Sequence, residues 1–228
     1  MRKVFLFGAS SFLMKELAVN LNYKNSCKII CISRKKIKNK KKNIKNYTSD
    51  YSNSSLKKIF NSELTARSNK PIFIFGNVVT QSDLFVNLET KLMKKILDIN
   101  INLPINIIRN ILKSYVNLMP VFINISSIRS MPGVGYSLYG SSKIFMENLF
   151  SNLALEYGNL NCIFKSIRIG IVHGGLANSL SEKILKGIFK RSANKNYVDL
   201  KEVINTIEYE FDKVSSNGKV IYCDNGFF

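Results

Sequence analysis

Short apolar runs alternate along this chain with longer segments in which apolar residues recur at helical spacing. Such runs are typical of strands buried in a parallel sheet, and the segments between them are typical of covering helices. The predicted strands cover residues 3–7, 27–32, 71–75, 120–125, 161–169 and 219–223, with a weaker one before Asp50. The predicted helices begin near Ser11, Ser54, Gln81, Tyr136, Ala177 and Asp199. This order predicts an α/β fold, a Rossmann-like doubly wound parallel sheet in three α/β/α layers.

Length and composition fit one domain spanning residues 1–228. The chain has 228 residues, is 46% apolar and contains only four prolines, so it can bury a sizeable core. It has no run of 18 apolar residues, and its N-terminus continues directly into a strand-like segment instead of a cleavable signal. We therefore expect a cytoplasmic protein without membrane contact.

The placement of cysteine and histidine argues against a metal site and a disulfide framework. The four cysteines form no CxxC pair, and His173 is the only histidine. Both features are unlike those of structural zinc sites and disulfide-rich proteins. We expect no metal.

The net charge of +19 raises the question of an anionic partner. The densest basic stretch, residues 33–45, lacks interleaved aromatic residues and matches no module that reads nucleic-acid grooves. Lysine, asparagine and isoleucine are abundant throughout, as a low-GC coding sequence would produce. We expect no nucleic-acid partner, and an anionic ligand or surface is the alternative.

Tyr139 and Lys143 form the most informative pair. Four residues apart on a helix, they lie on one face, so the ammonium can favour the ionised phenol. Two other tyrosines, Tyr197 and Tyr209, also precede a lysine by four residues, but only Tyr139 follows a buried strand that ends in two serines. A hydroxyl at a strand end and a Tyr-Lys pair on the next helix can converge on one carbonyl group.

Three segments carry a resemblance to the short-chain dehydrogenase/reductase family. They are Asn124-Ile125-Ser126-Ser127, Tyr139-Gly140-Ser141-Ser142-Lys143 and Glu156-Tyr157-Gly158. The resemblance implies hydride transfer between a nicotinamide cofactor and a carbonyl or carbinol carbon. It also implies that a serine orients the substrate oxygen, Tyr139 exchanges its proton, and Lys143 lowers the tyrosine pKa and holds the cofactor ribose.

The identity of the catalytic serine is open between two neighbours. The family's usual spacing to the tyrosine favours Ser126, whereas its local Asn-Ile-Ser-Ser pattern favours Ser127. We assign Ser127. The resemblance further places Asn100 in a proton relay, where it holds Lys143 through a water, and Asn102 is the rival for this role.

The first turn, Gly8-Ala9-Ser10-Ser11-Phe12-Leu13-Met14, is where the pyrophosphate of a dinucleotide would lie. Aligned to the family's GxxxGxG pattern, it has Phe12 and Met14 at glycine positions. Aligned to GxxGxxG, which we prefer, it has Ser11 and Met14 there. The resemblance makes Gly8, Ser10, Ser11, Phe12 and Leu13 cofactor-binding residues, and Met14 implies looser packing of the first helix on the sheet.

The end of the second strand indicates the cofactor type. An acidic residue there would bind a ribose hydroxyl, whereas a basic residue would pair with a 2′-phosphate. The segment Cys31-Ile32-Ser33-Arg34-Lys35-Lys36 has three cations and no acid. We therefore expect NADP(H) in preference to NAD(H), with Ser33 and Arg34 contacting the phosphate.

The remaining cofactor-binding residues are implied by the resemblance alone. Asp50, followed by Tyr51, matches the aspartate that bonds the adenine, although an Asx turn or a helix cap is the alternative. Asn77 occupies the place of the family's Asn-Asn-Ala-Gly motif. After the sixth strand, Gly170 keeps the glycine of the family's Pro-Gly turn while the proline is missing, and the backbone of Val172 would meet the carboxamide.

The substrate is a small molecule, and residues 177–195 form a lid or a surface helix. As a lid, the cations of this segment would favour an acidic substrate, such as a phosphate, a nucleotide-sugar or a carrier-linked acyl chain. His173 is either a substrate contact or a solvated loop residue. The helices around 92–111 and 138–155 carry more apolar surface than one sheet face needs, and the resemblance implies that they pair across a two-fold axis in a homodimer or homotetramer.

Two other functions remain open. One is a nucleotide-sugar epimerase or dehydratase, suggested by the GxxGxxG-like alignment. The other is a catalytically silent NADP(H)-binding protein, suggested by the two missing glycines.

Overall fold

The computed structural model describes residues 1–23, 27–37, 41–66 and 68–228, and residues 38–40 of the basic stretch therefore lie outside it. Seven parallel strands form one sheet in the order β3-β2-β1-β4-β5-β6-β7. The strands are β1 (Arg2–Phe7), β2 (Cys27–Ser33), β3 (Ile44–Thr48), β4 (Ile72–Phe75), β5 (Val121–Ser127), β6 (Ile163–Ile169) and β7 (Val220–Cys223). All the predicted strands, including the weak one before Asp50, are confirmed within a few residues.

Seven α-helices cover the sheet in the described residues. They are α1 (Phe12–Tyr23), α2 (Asn53–Glu63), α3 (Thr90–Leu97), α4 (Leu103–Tyr115), α5 (Ser137–Tyr157), α6 (Glu182–Phe189) and α7 (Leu200–Tyr209). A π-helical turn, Asp98–Asn102, joins α3 to α4. Apolar side chains of α1 and α7 pack on one face of the sheet, and those of α2, α4 and α5 pack on the other. The predicted doubly wound, three-layer fold is confirmed.

Phenylalanine builds much of the second core layer. The rings of Phe5, Phe73, Phe122 and Phe164 stack in sequence across β1, β4, β5 and β6, with centroid separations of 4.8, 5.4 and 4.7 Å. Strand side chains alternate between the two faces, so both faces are apolar. This explains why the strands read as continuous apolar runs. No helix in the described residues is long and apolar enough to cross a bilayer.

Two predicted helix starts differ from the structure. No α-helix begins near Gln81, whose side chain is buried and hydrogen-bonded in a loop. A short 3-10 turn, Phe85–Asn87, follows, and the next α-helix begins at Thr90. Near Ala177 the chain forms only a short 3-10 turn, Gly175–Ser179, and α6 starts at Glu182 behind its cap Ser181. The start predicted at Asp199 is confirmed, since its side chain caps α7.

Candidate active site

Two adjoining cavities follow the carboxyl ends of the central strands, where ligands bind in open α/β sheets. One, of about 370 Å³, lies beside Tyr139, and the other, of about 410 Å³, lies beside Arg34. Both are lined by Ser11, Gly76 and Val78, so they form one elongated cleft. Apart from Asn100 and Asp50, every predicted site residue lines it: Gly8, Ser10, Ser11, Phe12, Leu13, Ser33, Arg34, Tyr51, Asn77, Ser127, Tyr139, Lys143, Gly170 and Val172.

The two serines at the end of β5 have different partners. Ser126 is buried, and its hydroxyl donates to Glu147 at 2.5 Å. Glu147 is itself held by Arg168, whose Nη2 lies 2.6 Å from its Oε2. Ser127 is half-buried and forms a hydrogen bond with the side chain of Tyr139. This geometry favours Ser127 as the hydroxyl that faces a substrate, and it gives Ser126 a structural bond.

Tyr139 lies in the first turn of α5, almost fully buried. Burial raises the pKa of its phenol, and the hydrogen bond from Ser127 and the charge of Arg129 oppose the rise only in part. The pKa of the phenol therefore lies above its ordinary value, and the hydroxyl is protonated near neutral pH.

Lys143 lies one turn further along α5. Its Nζ donates to the carbonyl of Ile125 at 2.8 Å and lies 5.9 Å from the Tyr139 ring centroid. Burial lowers the pKa of Lys143 to about 8, against the opposing charge of Glu147. The nearby cation that lowers the Tyr139 pKa in this structure is Arg129, so the influence predicted for Lys143 stays a prediction.

Asn100 and its rival Asn102 are clearly distinguished by burial. Asn100 is buried in the π-helical turn, where its amide donates to Val79 O at 2.9 Å and to Ser142 Oγ at 3.1 Å. Its Oδ1 accepts from the Val79 amide at 2.8 Å. Asn102 is exposed and bonds Asp98. Asn100 thus ties the loop after β4 to α5 beside Lys143, and its predicted relay role remains untested.

Gln81 is a buried residue whose role the sequence did not reveal. Its Oε1 accepts hydrogen bonds from the amides of Leu138 and Tyr139, at 3.0 and 3.3 Å. Its amide donates to Asp83 O at 2.8 Å and to Ser137 Oγ at 3.2 Å. Gln81 therefore satisfies amides at the start of α5 that have no helical partner and fixes the turn that carries Tyr139. No sequence signal marks this role, because the sequence around Gln81 predicts a helix start.

Gly8 and Asn77 build the centre of the cleft. Gly8 has φ +74°, and a Cβ on it would lie 2.5 Å from the Asn77 amide nitrogen, so no other residue fits there. The side-chain Nδ2 of Asn77 donates to Ile99 O at 3.2 Å, while its Oδ1 is buried without a hydrogen-bond partner among the described residues. An unpaired buried acceptor at a ligand cleft fits a ligand with hydroxyl groups, such as the ribose of a dinucleotide.

The two bulky residues of α1 meet glycines elsewhere in the chain. A Cβ on Gly76 would lie 2.6 Å from the Met14 side chain, and one on Gly174 would lie 2.8 Å from the Phe12 ring. Met14 is fully buried, and Phe12 is 37% exposed in the cleft. The large side chains of Met14 and Phe12 are thus accommodated by Gly76 and Gly174 in the opposing loops.

The half of the cleft beside Arg34 contains the residues predicted to select the cofactor. Ser33 ends β2, and its hydroxyl donates to Lys35 O at 2.5 Å. Arg34 and Lys35 are exposed at the rim. Tyr51 donates to Ile32 O at 2.9 Å and accepts from the Gly8 amide at 3.1 Å, which joins the β2 end to the first turn.

Asp50 lies outside the cleft and forms a local turn. It is exposed, and its Oδ1 accepts from the amide and hydroxyl of Ser52 at 2.9 and 2.8 Å. These bonds lower the pKa of Asp50. The structure therefore contains the alternative Asx turn, and contact with an adenine stays a prediction.

The loop after β6 closes the other end of the cleft. A Cβ on Gly170 would lie 2.6 Å from Val198, so glycine is required at this close approach. Val172 pairs with Val198 in an isolated bridge and lines the cleft. His173 is exposed and packs edge-on against Tyr197 at 5.3 Å. Among the described residues no cluster of His, Cys, Asp and Glu could hold a metal ion.

Sequence comparisons identify a family and one curated relative. The family model described as short chain dehydrogenase matches residues 3–185. The 3-oxoacyl-(acyl-carrier-protein) reductase FabG of Buchnera aphidicola subsp. Baizongia pistaciae (strain Bp) is 25% identical over 164 residues, 69% of this chain and 66% of the relative. This chain thus matches slightly less than two thirds of that relative's length.

Solved structures show the same fold at low identity. 4-Hydroxyisoleucine dehydrogenase complexed with NADH superposes with TM-score 0.86 and 17% identity, covering 99% of this chain and 98% of that one. The same protein with NADH and succinate gives 0.81 and 18%, with 98% of each chain covered. ElxO with NADP bound gives 0.82 and 20%, covering 98% and 97%.

Proposed function

This chain belongs to the short-chain dehydrogenase/reductase family of nicotinamide-dependent oxidoreductases, and on that premise we propose that it transfers hydride between NADP(H) and a carbonyl or hydroxyl substrate. The substrate is an anionic or carrier-linked small molecule, such as an acyl chain on a carrier or a sugar of surface polysaccharide. The observation that carries this proposal is the convergence of Ser127, Tyr139 and Lys143 at one end of a cleft that begins at Arg34.

Each side chain has a separate role at the reacting carbonyl. The nicotinamide, when bound, supplies the hydride to the carbonyl carbon. Ser127 donates a hydrogen bond to the carbonyl oxygen and orients it, and Tyr139 gives its proton to that oxygen as the carbon–oxygen double bond is lost. Lys143 and Asn100 return a proton to Tyr139 from solvent. The raised pKa of Tyr139 keeps the phenol protonated at neutral pH, which suits the reductive direction.

The preference for NADP(H) is based on the end of β2. Arg34 and Lys35 stand exposed beside Ser33, and no acidic residue lies between Cys31 and Lys36 to bind a ribose 2′-hydroxyl. The structural neighbours carry NADH in one case and NADP in another. The neighbours therefore do not decide between the two cofactors, and the preference for NADP(H) is based on the positive charges of Arg34 and Lys35.

The anionic or carrier-linked substrate is supported from two directions. The curated relative is a reductase of acyl chains on a carrier protein, and one structural neighbour was solved with the dicarboxylate succinate. In this chain, Leu176 and Ala177 line the cleft, and the segment that follows them carries Lys183, Lys186 and Arg191. These cations suit a negatively charged group.

A titration with both cofactors tests this proposal. NADPH and NADH are added to purified wild type, Arg34→Ala and the control Lys201→Ala while nicotinamide fluorescence is followed. Lys201 is exposed on α7 and does not line the cleft. We expect saturable NADPH binding that weakens about tenfold or more in Arg34→Ala only, because one charge-assisted phosphate contact is lost. Tighter binding of NADH would overturn the cofactor preference and leave the oxidoreductase reading intact.

The second candidate function is a silent NADP(H)-binding protein. It is favoured by Phe12, whose ring lies in the cleft against Gly174 and Gly175. NADPH binding without turnover on any carbonyl would support it. A nucleotide-sugar epimerase or dehydratase would instead retain its cofactor through purification.

We also propose that residues 1–228 form one domain that assembles as a homodimer or homotetramer.

A further inference from the structure

Arg129 is held in a fixed position close to the catalytic tyrosine. It lies in the 3-10 turn Ile128–Ser130, two residues after Ser127. Its guanidinium stacks on the Tyr136 ring, with Cζ 3.7 Å from the centroid, and its Nη2 donates to the Tyr136 hydroxyl at 3.1 Å. Its carbonyl oxygen would lie 2.3 Å from a Cβ on Gly140, so the turn is also locked against α5.

The charge of Arg129 has no carboxylate partner among the described residues. Arg2 and Arg168, by contrast, pair with Asp212 and Glu147 at 2.5 and 2.6 Å. The acid that shares a cavity with Arg129 is Asp83, whose Oδ1 accepts from the Leu84 amide at 2.7 Å and from the Asn87 side chain at 3.0 Å. Arg129 is thus a half-buried cation supported by an aromatic ring and not by an acid.

Arg191 lines the same cavity, of about 430 Å³, from the segment after α6. Its Nη1 donates to Pro132 O at 3.2 Å and its Nε to Phe228 O at 3.1 Å, while the guanidinium lies 4.8 Å from the Phe227 ring centroid. Main-chain oxygens of Pro132 and of the terminal residue Phe228, together with a ring, orient this side chain, and no aspartate or glutamate side chain pairs with it among the described residues. Burial, together with the charge of Arg191, lowers the pKa of Arg129.

We propose that Arg129 and Arg191 bind an oxyanion, a carboxylate or a phosphate, that the substrate carries at a distance from its reacting carbonyl. Two guanidinium groups that face one cavity repel each other until an anion lies between them, and their planar donors match carboxylate and phosphate oxygens. Tyr136, the cap of α5, lines this cavity, and Tyr139 in the first turn of α5 lines the cleft, so the two cavities border the same end of α5.

This inference rests on the proposed function for the identity of the ligand but is testable without turnover. Calorimetric titrations use two probes, succinate and inorganic phosphate, on wild type, Arg129→Gln, Arg191→Gln and Lys190→Gln. Lys190 is the matched control, since it is an exposed cation next to Arg191 that does not line the cavity. We expect binding of at least one probe, weakened about tenfold or more by either arginine change and less than about twofold by Lys190→Gln.

The two probes distinguish the sources of the anion. Binding of succinate alone assigns the site to carboxylates, and binding of phosphate alone assigns it to phosphate groups. Equal weakening by all three substitutions would show a general surface-charge effect and overturn the proposal, as would the absence of binding of both probes. Should Arg129→Gln fail to fold, the exposed Arg191 decides the result, because its removal leaves the turn after β5 intact.

A turnover comparison separates this inference from the proposed function. Levulinate and its neutral methyl ester present the same ketone, with and without a carboxylate. Wild type should favour levulinate in kcat/KM, and both arginine variants should lose this preference about tenfold while the ester rate changes little. If NADPH does not bind but succinate binding still depends on both arginines, the oxyanion site stands and the proposed reductase falls.

Discussion

The side chain of Met14 fills the space that a side chain on Gly76 would need. A Cβ on Gly76 would lie 2.6 Å from both Cγ and Sδ of Met14, far inside van der Waals contact. Met14 stands where the family's pattern has a glycine, and Gly76 stands on the loop that faces it. The large side chain on α1 is therefore accommodated by a glycine in the opposing loop, and helix α1 stays in contact with the end of β4.

A double-mutant cycle tests whether Met14 and a side chain at position 76 compete for the same space. Gly76→Ala should lower the free energy of unfolding by about 1–3 kcal/mol through overpacking, and Met14→Ala by about 2–5 kcal/mol through a cavity. The double variant should lose less than the sum, by about 1 kcal/mol, since the new methyl group then enters the space that Met14 leaves. Urea unfolding measures all three values.

Gly187→Ala is the control for the cycle. A Cβ at Gly187 has nothing within 4 Å, and this residue lies within α6. The substitution should be neutral or stabilise the protein by up to about 1 kcal/mol, through higher helix propensity. Strictly additive losses at Met14 and Gly76 would show that the two residues do not share one space.

The contact between Met14 and Gly76 also shows which features the sequence could predict and which it could not. Strands and their order follow from apolar runs, because a parallel sheet buries both faces of each strand. The pairing of Met14 with Gly76 joins residues far apart in the chain, so a single sequence carries no sign of it. The contact of Gln81 with the start of α5 also joins distant residues, and the sequence around Gln81 instead predicts a helix start.

Local patterns left other features of the site undecided. The serines at the end of β5 differ by one position, and their partners, Glu147 for Ser126 and Tyr139 for Ser127, depend on where α5 packs. The sequence alone does not distinguish Asn100 from its rival Asn102, whereas in the structure Asn100 is buried and Asn102 is exposed. Residue spacing therefore indicates the region of the site, and tertiary packing gives the two neighbours in each pair different partners and burial.

Exchanging the two serines for alanine should give opposite results. Ser127→Ala should lower kcat/KM by about 100-fold or more, because the substrate oxygen loses a hydrogen bond made in the transition state, with NADPH affinity unchanged. Ser126→Ala should instead lower the free energy of unfolding by about 1–3 kcal/mol, since Glu147 loses a buried partner. Steady-state kinetics and urea unfolding of both variants make the comparison. A larger rate loss in Ser126→Ala would reverse the assignment.

The buried ammonium of Lys143 should give the stability a specific dependence on pH. Its pKa falls from 10.5 to about 8 on folding, so between these values the unfolded chain binds more protons and stability rises with pH. Below pH 8 the charged group costs roughly 3 kcal/mol. Lys143→Met removes this cost, so the variant should be more stable than wild type at pH 7.

The difference between Lys143→Met and wild type should shrink between pH 8 and 10.5. Urea unfolding of both proteins across this range isolates the contribution of Lys143, because every other titrating group is common to both. A difference that does not change with pH would show that Lys143 does not lose its charge in this window.

Gln81 should stabilise the start of α5. Gln81→Ala leaves the amides of Leu138 and Tyr139 without their acceptor, so the free energy of unfolding should fall by about 1–2 kcal/mol. Gln81→Glu keeps the acceptor and adds a negative charge at a helix N-terminus, so it should retain most of the stability. Equal losses in both variants would show that the bonds to Asp83 and Ser137 are what matter.

Apolar residues on α5 should mediate self-association. Ile144 and Phe145 are 48% and 45% exposed, and Leu149 and Leu153 line a groove between α4 and α5. A face of this kind on paired helices is typical of a two-fold interface. Sedimentation at micromolar concentration should show a dimer or tetramer for wild type, and Phe145→Glu should shift it towards monomer, because a charge would be buried at the contact. Tyr209→Glu, on the exposed side of α7, is the control and should not change the assembly. A wild-type protein that sediments as a clean monomer would contradict this prediction.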